Sequence, residues 1–172
     1  LPPAAGLKTF LGSFATTGQF VGPQSALTAL IHDQLMMGQP KVSIHTIPYI
    51  EAIRYFAGLK DQTRYGHWII HEAAKGPQRF KNTSAYVYDL LPPEAVDKLI
   101  GYLDAAPNAK GIAQFDNYGG AVADVAPTAT AFYHRLASYN IQYQTYWSDP
   151  IDDVTNIAWV DTMRDGMQPY TT

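Results

Sequence analysis

The stretch SYNIQYQTYW, residues 138–147, alternates over its whole length, and such an alternation fits a half-buried strand and excludes a helix. Its odd positions, Tyr139, Ile141, Tyr143, Thr145 and Trp147, make a greasy side. Its even positions, Asn140, Gln142, Gln144 and Tyr146, are amides and a phenol. A second stretch, GIAQFDNYGG (111–120), repeats the pattern, with Gln114, Asp116 and Tyr118 on one face and Ala113 and Phe115 on the other. Two such strands want helices against the greasy side and leave the polar side to water or to a ligand. Wetted sheet faces favour Lys, Glu and Thr, and neither stretch contains a lysine. Amides donate and accept at once, which suits a polyfunctional polar substrate. A solvated face and the floor of a site both remain open at this point.

The totals bound the rest. At 172 residues, with 47% hydrophobic and 16% charged content, the chain has the length and composition of one globular domain. A net charge of −3, with no Lys/Arg cluster, argues against a nucleic-acid surface. The absence of cysteine removes disulfides, thiolate nucleophiles and zinc–thiolate sites. No apolar run approaches the ~20 residues of a membrane span. The opening LPPAAG has neither the basic nor the apolar region of a signal peptide, whereas Asn82-Thr83-Ser84 is an N-glycosylation sequon that points to the secretory pathway.

Helices and strands alternate along the chain. Residues 7–22 read as extended chain in one or two short strands, and Gly22-Pro23 opens a helix with Leu27, Leu30, Ile31 and Leu35 in a stripe. KVSIHTI (41–47) has the pattern of a strand, and residues 49–57 that of a short helix with Ile50, Ile53 and Ala57 on one side, stopped by Gly58. Residues 59–81 mix charges, glycine and proline as a long loop does. TSAYVY (83–88) suits a strand; residues 91–106 predict a helix with Val96, Leu99, Ile100 and Leu103 inward. After the GIAQFDNYGG strand, GAVADV is its expected hairpin partner across Gly119-Gly120. Ser148-Asp149-Pro150 caps a final helix rich in acids at its start. The expected fold is α+β, a mainly antiparallel sheet with helices packed on one face.

The order of QFDNYGGAVADV (114–125), TAFYHR (130–135), YNIQYQTYW (139–147) and NIAWVDTMRDGMQPY (156–170) resembles the substrate-binding domain of FAD-linked oxidases of the berberine bridge enzyme family. Upstream, TGQFVGP (17–23) and IHTIPYIEAIRYFAG (44–58) fall where that family has a Gly-aromatic-Gly strand end and a short Trp-Ile-Glu helix. Pro48-Tyr49 stands in place of the usual tryptophan, and Tyr133 in place of the usual proline. The resemblance implies a flavin ring against the polar sheet face, with a small-molecule substrate between them. It implies removal of a hydride from a C–H beside an alcohol or amine, with O2 as acceptor. Gln114 and Asp116 match positions lining the substrate site of sugar-oxidising relatives, where the acid supports a catalytic tyrosine. Asn140 matches a glutamate base of alkaloid-cyclising members, and an asparagine cannot take that proton. Gln142, Gln144 and Tyr146 then orient substrate. The family's flavin-binding domain would precede Leu1, and an Asn-Tyr-x-Asp segment with its tyrosine would follow Thr172. The chain, 1–172, is therefore expected to be one substrate-binding domain of a longer polypeptide, inactive and free of FAD on its own.

Several residues have plainer alternatives. Asp116 is either an accessory acid or a turn acid capping Gly119-Gly120. His67 and His71, beside Glu72, have the spacing of two metal ligands on a helix but lack a third. His134-Arg135 fits a structural bridge before Tyr139, and most of the aromatics, Trp147 and Trp159 among them, fit a core. The rival to an oxidase portion is a stand-alone, non-catalytic module whose polar face holds a carbohydrate or a protein partner.

Overall fold

Residues 13–38, 40–56 and 79–172 are described in the structure, a computed structural model of the chain. The chain clusters in two compact units: Phe14–Ala74, and Leu1–Ser13 with Lys75–Thr172.

In the Phe14–Ala74 unit lie α1 (Gln24–Leu30), α2 (His32–Met36) and α3 (Tyr49–Phe56). The single helix predicted from Pro23 is two, because Ile31 (φ −99°, ψ 15°) leaves the helical region between them. Leu27, Ile31 and Leu35 keep the predicted stripe half-buried, while Leu30 is exposed. Residues 13–21 and the predicted strand 41–47 form no strand. A β-branched alternation becomes a strand only beside a ladder partner, and none is present among the described residues of this unit. In α3 the buried residue is Ala52, with Ile50 and Ile53 exposed, and Arg54 pairs with Glu51 one turn away at 2.5 Å. Ala57, His67, His71 and Glu72 lie outside the described residues.

The second unit contains β1 (Arg79–Val87), α4 (Pro93–Asp104), β2 (Ile112–Asn117), β3 (Tyr139–Trp147) and α5 (Asp153–Met167). The sheet order is β1-β3-β2, with β3 antiparallel to both neighbours. β1 and β2 thus run parallel, joined through α4 with β3 inserted between them, a split β-α-β arrangement. GAVADV is not the hairpin partner of β2. Gly119 (φ 105°) and Gly120 (φ 48°) bend the chain into a 3-10 turn, Gly120–Val122, and the Tyr118 N–H is closed by the Ser138 carbonyl at 3.0 Å. The partner is β3, which returns after a loop and bonds all six residues of β2.

The greasy side of the sheet carries α5, on which α4 packs in turn. α4 starts with Pro93 at its first position and Glu94 in its first turn, both suited to a helix N-terminus. It turns Ala95 and Leu99 fully inward, whereas Val96 is exposed. α5 buries Asn156, Trp159, Val160, Met163 and Met167 at helical spacing. With Ala85, Val87, Ile141 and Tyr143 these apolar side chains form one core. Polar ties hold its ends. Asp153 accepts from the Arg79 guanidinium and from Trp147 Nε1 (2.6 Å), and these two bonds hold its carboxyl below the ordinary value. Asn156 finds its partners in Asn108, whose Nδ2 donates at 2.6 Å, and in the Asp152 carbonyl at 2.9 Å. Trp159 donates to the Tyr102 carbonyl at 2.8 Å.

Two packing details generate predictions. A Cβ at Gly166 would lie 1.8 Å from the Tyr102 hydroxyl and 2.6 Å from the ring carbon that bears it. Gly166→Ala, though favoured by helix propensity, is expected to destabilise the unit by about 1–3 kcal/mol in urea unfolding, because the ring has to leave its place. The Tyr143 hydroxyl is buried without a hydrogen-bond partner among the described residues, and burial pushes its phenol up to about 12. An unfolded phenol ionises near pH 10, so the unfolded chain releases this proton first and the fold loses stability as pH rises from about 10 to about 12. Tyr143→Phe is expected to match or exceed the parent in thermal unfolding at pH 8 and to lose part of this alkaline fall.

Candidate functional site

All three strands turn their even-numbered residues to the face opposite α5. β1 supplies Phe80, Asn82, Ser84 and Tyr86; β2 supplies Ile112, Gln114 and Asp116; β3 supplies Asn140, Gln142, Gln144 and Tyr146. The register sets Gln142 between Ser84 and Gln114, and Asn140 between Tyr86 and Asp116. No helix among the described residues of this unit covers that face.

The side chains of this face form two hydrogen-bonded arms that meet at Asp116. In one, Tyr146 Oη donates to Gln144 Oε1 (2.8 Å), Gln144 Nε2 to Gln114 Oε1 (3.1 Å), and Gln114 Nε2 to Asp116 Oδ1 (2.9 Å). In the other, Asn82 Nδ2 donates to Gln142 Oε1 (3.1 Å) and Gln142 Nε2 to Asp116 Oδ2 (2.6 Å). The direction of donation follows from chemistry. A carboxylate accepts only, so each neighbouring amide must turn its nitrogen to it and its oxygen away. Each amide uses one N–H in its arm and keeps a second. Gln114 is exposed and Gln142 half-buried, so their spare N–H groups, with the free lone pairs of Asp116, can meet a ligand.

Asn140 stands apart from the arms. It is buried, and its Nδ2 donates to the Ala85 carbonyl at 3.2 Å, which ties β3 to β1 beneath the floor. Gln144, also buried, acts through its neighbours. Thus the six residues singled out in the sequence share one face, and five of them share one network. Asn82 is the member that sequence patterning missed. The alternation of β1 continues back from Tyr86 through Ser84 and Asn82, but it is masked by the mixed composition upstream.

One end of the face is aromatic. Tyr86 stacks on His134 with ring centres 3.7 Å apart and planes at 11°, and the Tyr88 hydroxyl bonds His134 Nδ1 at 2.8 Å. Phe132 meets Tyr86 and Tyr118 edge-on. Burial first, then Tyr86 and the Asp116 charge, raise the Tyr118 phenol above its ordinary value. Arg135 bonds Thr130 Oγ1 (2.6 Å) and the Phe132 carbonyl (3.2 Å), holding the loop that brings these rings in.

Among the described residues no group of three His, Cys, Asp or Glu could hold a metal ion. The polar face bears no cation, and the Gly119-Gly120 bend leads into a single 3-10 turn. These residues therefore suit a polar small molecule and offer no cradle for the phosphates of a dinucleotide.

No family model matches the chain. It is 30% identical over 155 residues to the uncharacterized FAD-linked oxidoreductase YgaK of Bacillus subtilis (strain 168), covering 90% of this chain and 32% of that protein. It is 34% identical over 104 residues to the hexose oxidase of Chondrus crispus, covering 55% of this chain and 19% of that enzyme. The solved structure of berberine bridge enzyme-like protein 28 from Arabidopsis thaliana superposes with a TM-score of 0.74 at 25% identity, over 89% of this chain and 32% of that one. The chain thus spans about a third of the length of the relatives it matches along most of its own length. Sequence and overall fold agree over about nine-tenths of the chain, and the chain belongs to the berberine bridge enzyme-like FAD-linked oxidoreductases.

Proposed function

We propose that this chain is the substrate-recognition portion of an FAD-dependent oxidase and that the polar sheet face is the floor on which a hydroxylated small molecule lies. The convergence of two donor arms on Asp116, on a face free of helices, carries the proposal. An ordinary wetted face has no need to point four amides and a phenol at one acid. FAD is held by polypeptide other than the described residues. When bound it supplies the hydride acceptor, and O2 takes the electron pair as peroxide.

The chain's own residues position the donor. A substrate hydroxyl would donate to a free lone pair of Asp116, while the spare N–H groups of Gln114 and Gln142 donate to neighbouring oxygens. Those three contacts fix both the distance and the rotation of a polyol, and such orientation is where an enzyme gains most from its protein. Asp116 acts here as an accessory acid: it holds the substrate hydroxyl by accepting its hydrogen bond and orients the base, supplied by polypeptide other than the described residues, that takes the hydroxyl proton as the hydride leaves the adjoining C–H. Asn140, buried and engaged with the Ala85 carbonyl, supports the strands beneath and takes no proton. A sugar or sugar-like alcohol matches this donor and acceptor pattern best. The hexose oxidase likeness supports that class.

A panel of sugars, alcohols and amines offered to the flavin-loaded enzyme, followed by peroxide release, tests the substrate class. Hydroxylated donors are expected to react, and a response to amines alone would refute the proposal. Asp116→Asn keeps the shape but lets an N–H face the two amide donors, so flavin reduction is expected to slow about tenfold or more in stopped-flow traces. Unchanged reduction would make Asp116 a turn residue.

A further inference from the structure

Asn82 has two possible uses, and the structure separates them. In the sequence it heads the sequon Asn82-Thr83-Ser84. In the fold it sits within β1 opposite Gln144, with Nδ2 donating to Gln142 Oε1 at 3.1 Å. Nδ2 is the atom a glycan would occupy. The bonded amide is the one that donates to Asp116 Oδ2 at 2.6 Å.

A glutamine amide can turn over by 180° with almost no change of shape, and Gln142 reaches Asp116 through a long side chain with several free torsions. Turned over, it would set its oxygen against the carboxylate and remove one donor from it. Asp116 disfavours that state from one side; on the other, the Asn82 N–H already bonds the Gln142 oxygen, so Gln142 turns over only by losing that bond as well or by carrying Asn82 round with it. Asn82 is short and rises from a strand paired along its whole length with β3, so its position varies little. A glycan on Nδ2 would carry bulk onto the floor, next to Gln142 and Gln144.

We propose that Asn82 is a positioning residue of the floor, locking the Gln142 amide with its nitrogen on Asp116, and that it carries no glycan for the same reason. The effect on turnover rests on the proposed oxidase; the lock and the free Nδ2 do not.

The chain, Asn82→Asp and Asn82→Ala can be compared after secretion from a eukaryotic host. Intact mass of the parent is expected to show Asn82 unmodified; a glycan there overturns the proposal. In heteronuclear spectra, Asn82→Asp is expected to shift the Gln142 side-chain amide pair, since the donor to Gln142 Oε1 is lost and a second carboxylate takes its place. Asn82→Ala, at the same exposed position, is expected to shift the same pair less. Unmoved Gln142 side-chain signals in both variants overturn the lock. Failure of every hydroxylated donor with the parent enzyme, alongside these spectral changes, would refute the substrate proposal alone and leave the lock standing.

Discussion

β3 is bonded along both edges, to β1 on one side and β2 on the other, and its side chains alternate between two incompatible environments. A slip of one residue would press Gln142 and Gln144 against α5 and turn Ile141 and Tyr143 outward. Each misplaced glutamine would then have to bury an amide among the apolar side chains of α5, which costs free energy unless it finds a partner there. The register is therefore decided by burial, and the site inherits it. Gln142 faces Gln114 because Ile141 and Tyr143 are anchored on the other side.

Given that register, the carboxylate of Asp116 organises the polar face. Amides have no intrinsic preference for which end meets which neighbour, so a row of them can adopt many patterns. One acceptor-only group at the meeting point removes that freedom, and the pattern propagates outward to Tyr146 along one arm and to Asn82 along the other. The outcome is a floor with a defined sense: donors point inward to Asp116, and the spare N–H groups of Gln114 and Gln142 remain for a ligand. Rigidity of this kind supports pre-organised binding, where the cost of ordering the side chains is met in folding and not when substrate arrives.

The parts of this arrangement visible in the sequence are those that a period reveals. The alternation of 139–147 and 112–117 specifies both strands and their faces, and Ser148-Asp149-Pro150 with the acids after it marks where the last helix starts. Pairing is another matter. Residues 41–47 alternate as well as many strands do, yet form none, and GAVADV follows a glycine pair without closing a hairpin. Strand partners are chosen by contacts far along the chain, as when β2 passes over its neighbour in sequence for β3. Asn82 escaped notice for a related reason. Its local signal, the sequon, points to a different use, and its place in the network comes from a cross-strand neighbour sixty residues away.

The two faces of β3 also divide the work. Toward α5, Ile141, Tyr143 and Thr145 are fully buried, and substitutions there act on stability. On the other face, Gln142 and Tyr146 are half-buried and bonded to other side chains of the same face, Gln142 to Asn82 and Asp116 and Tyr146 to Gln144, so removing one member costs little packing but reorients the rest. Even the polar groups respect the division. Asn108, Thr145 and Asn156 are tied together beneath the sheet, where the tie serves only to seat α5 on the strand end. A fold that separates its supports from its working surface in this way can change Gln114, Gln142 or Tyr146 without disturbing the core. That freedom is what one shared scaffold needs if its members are to accept different donors.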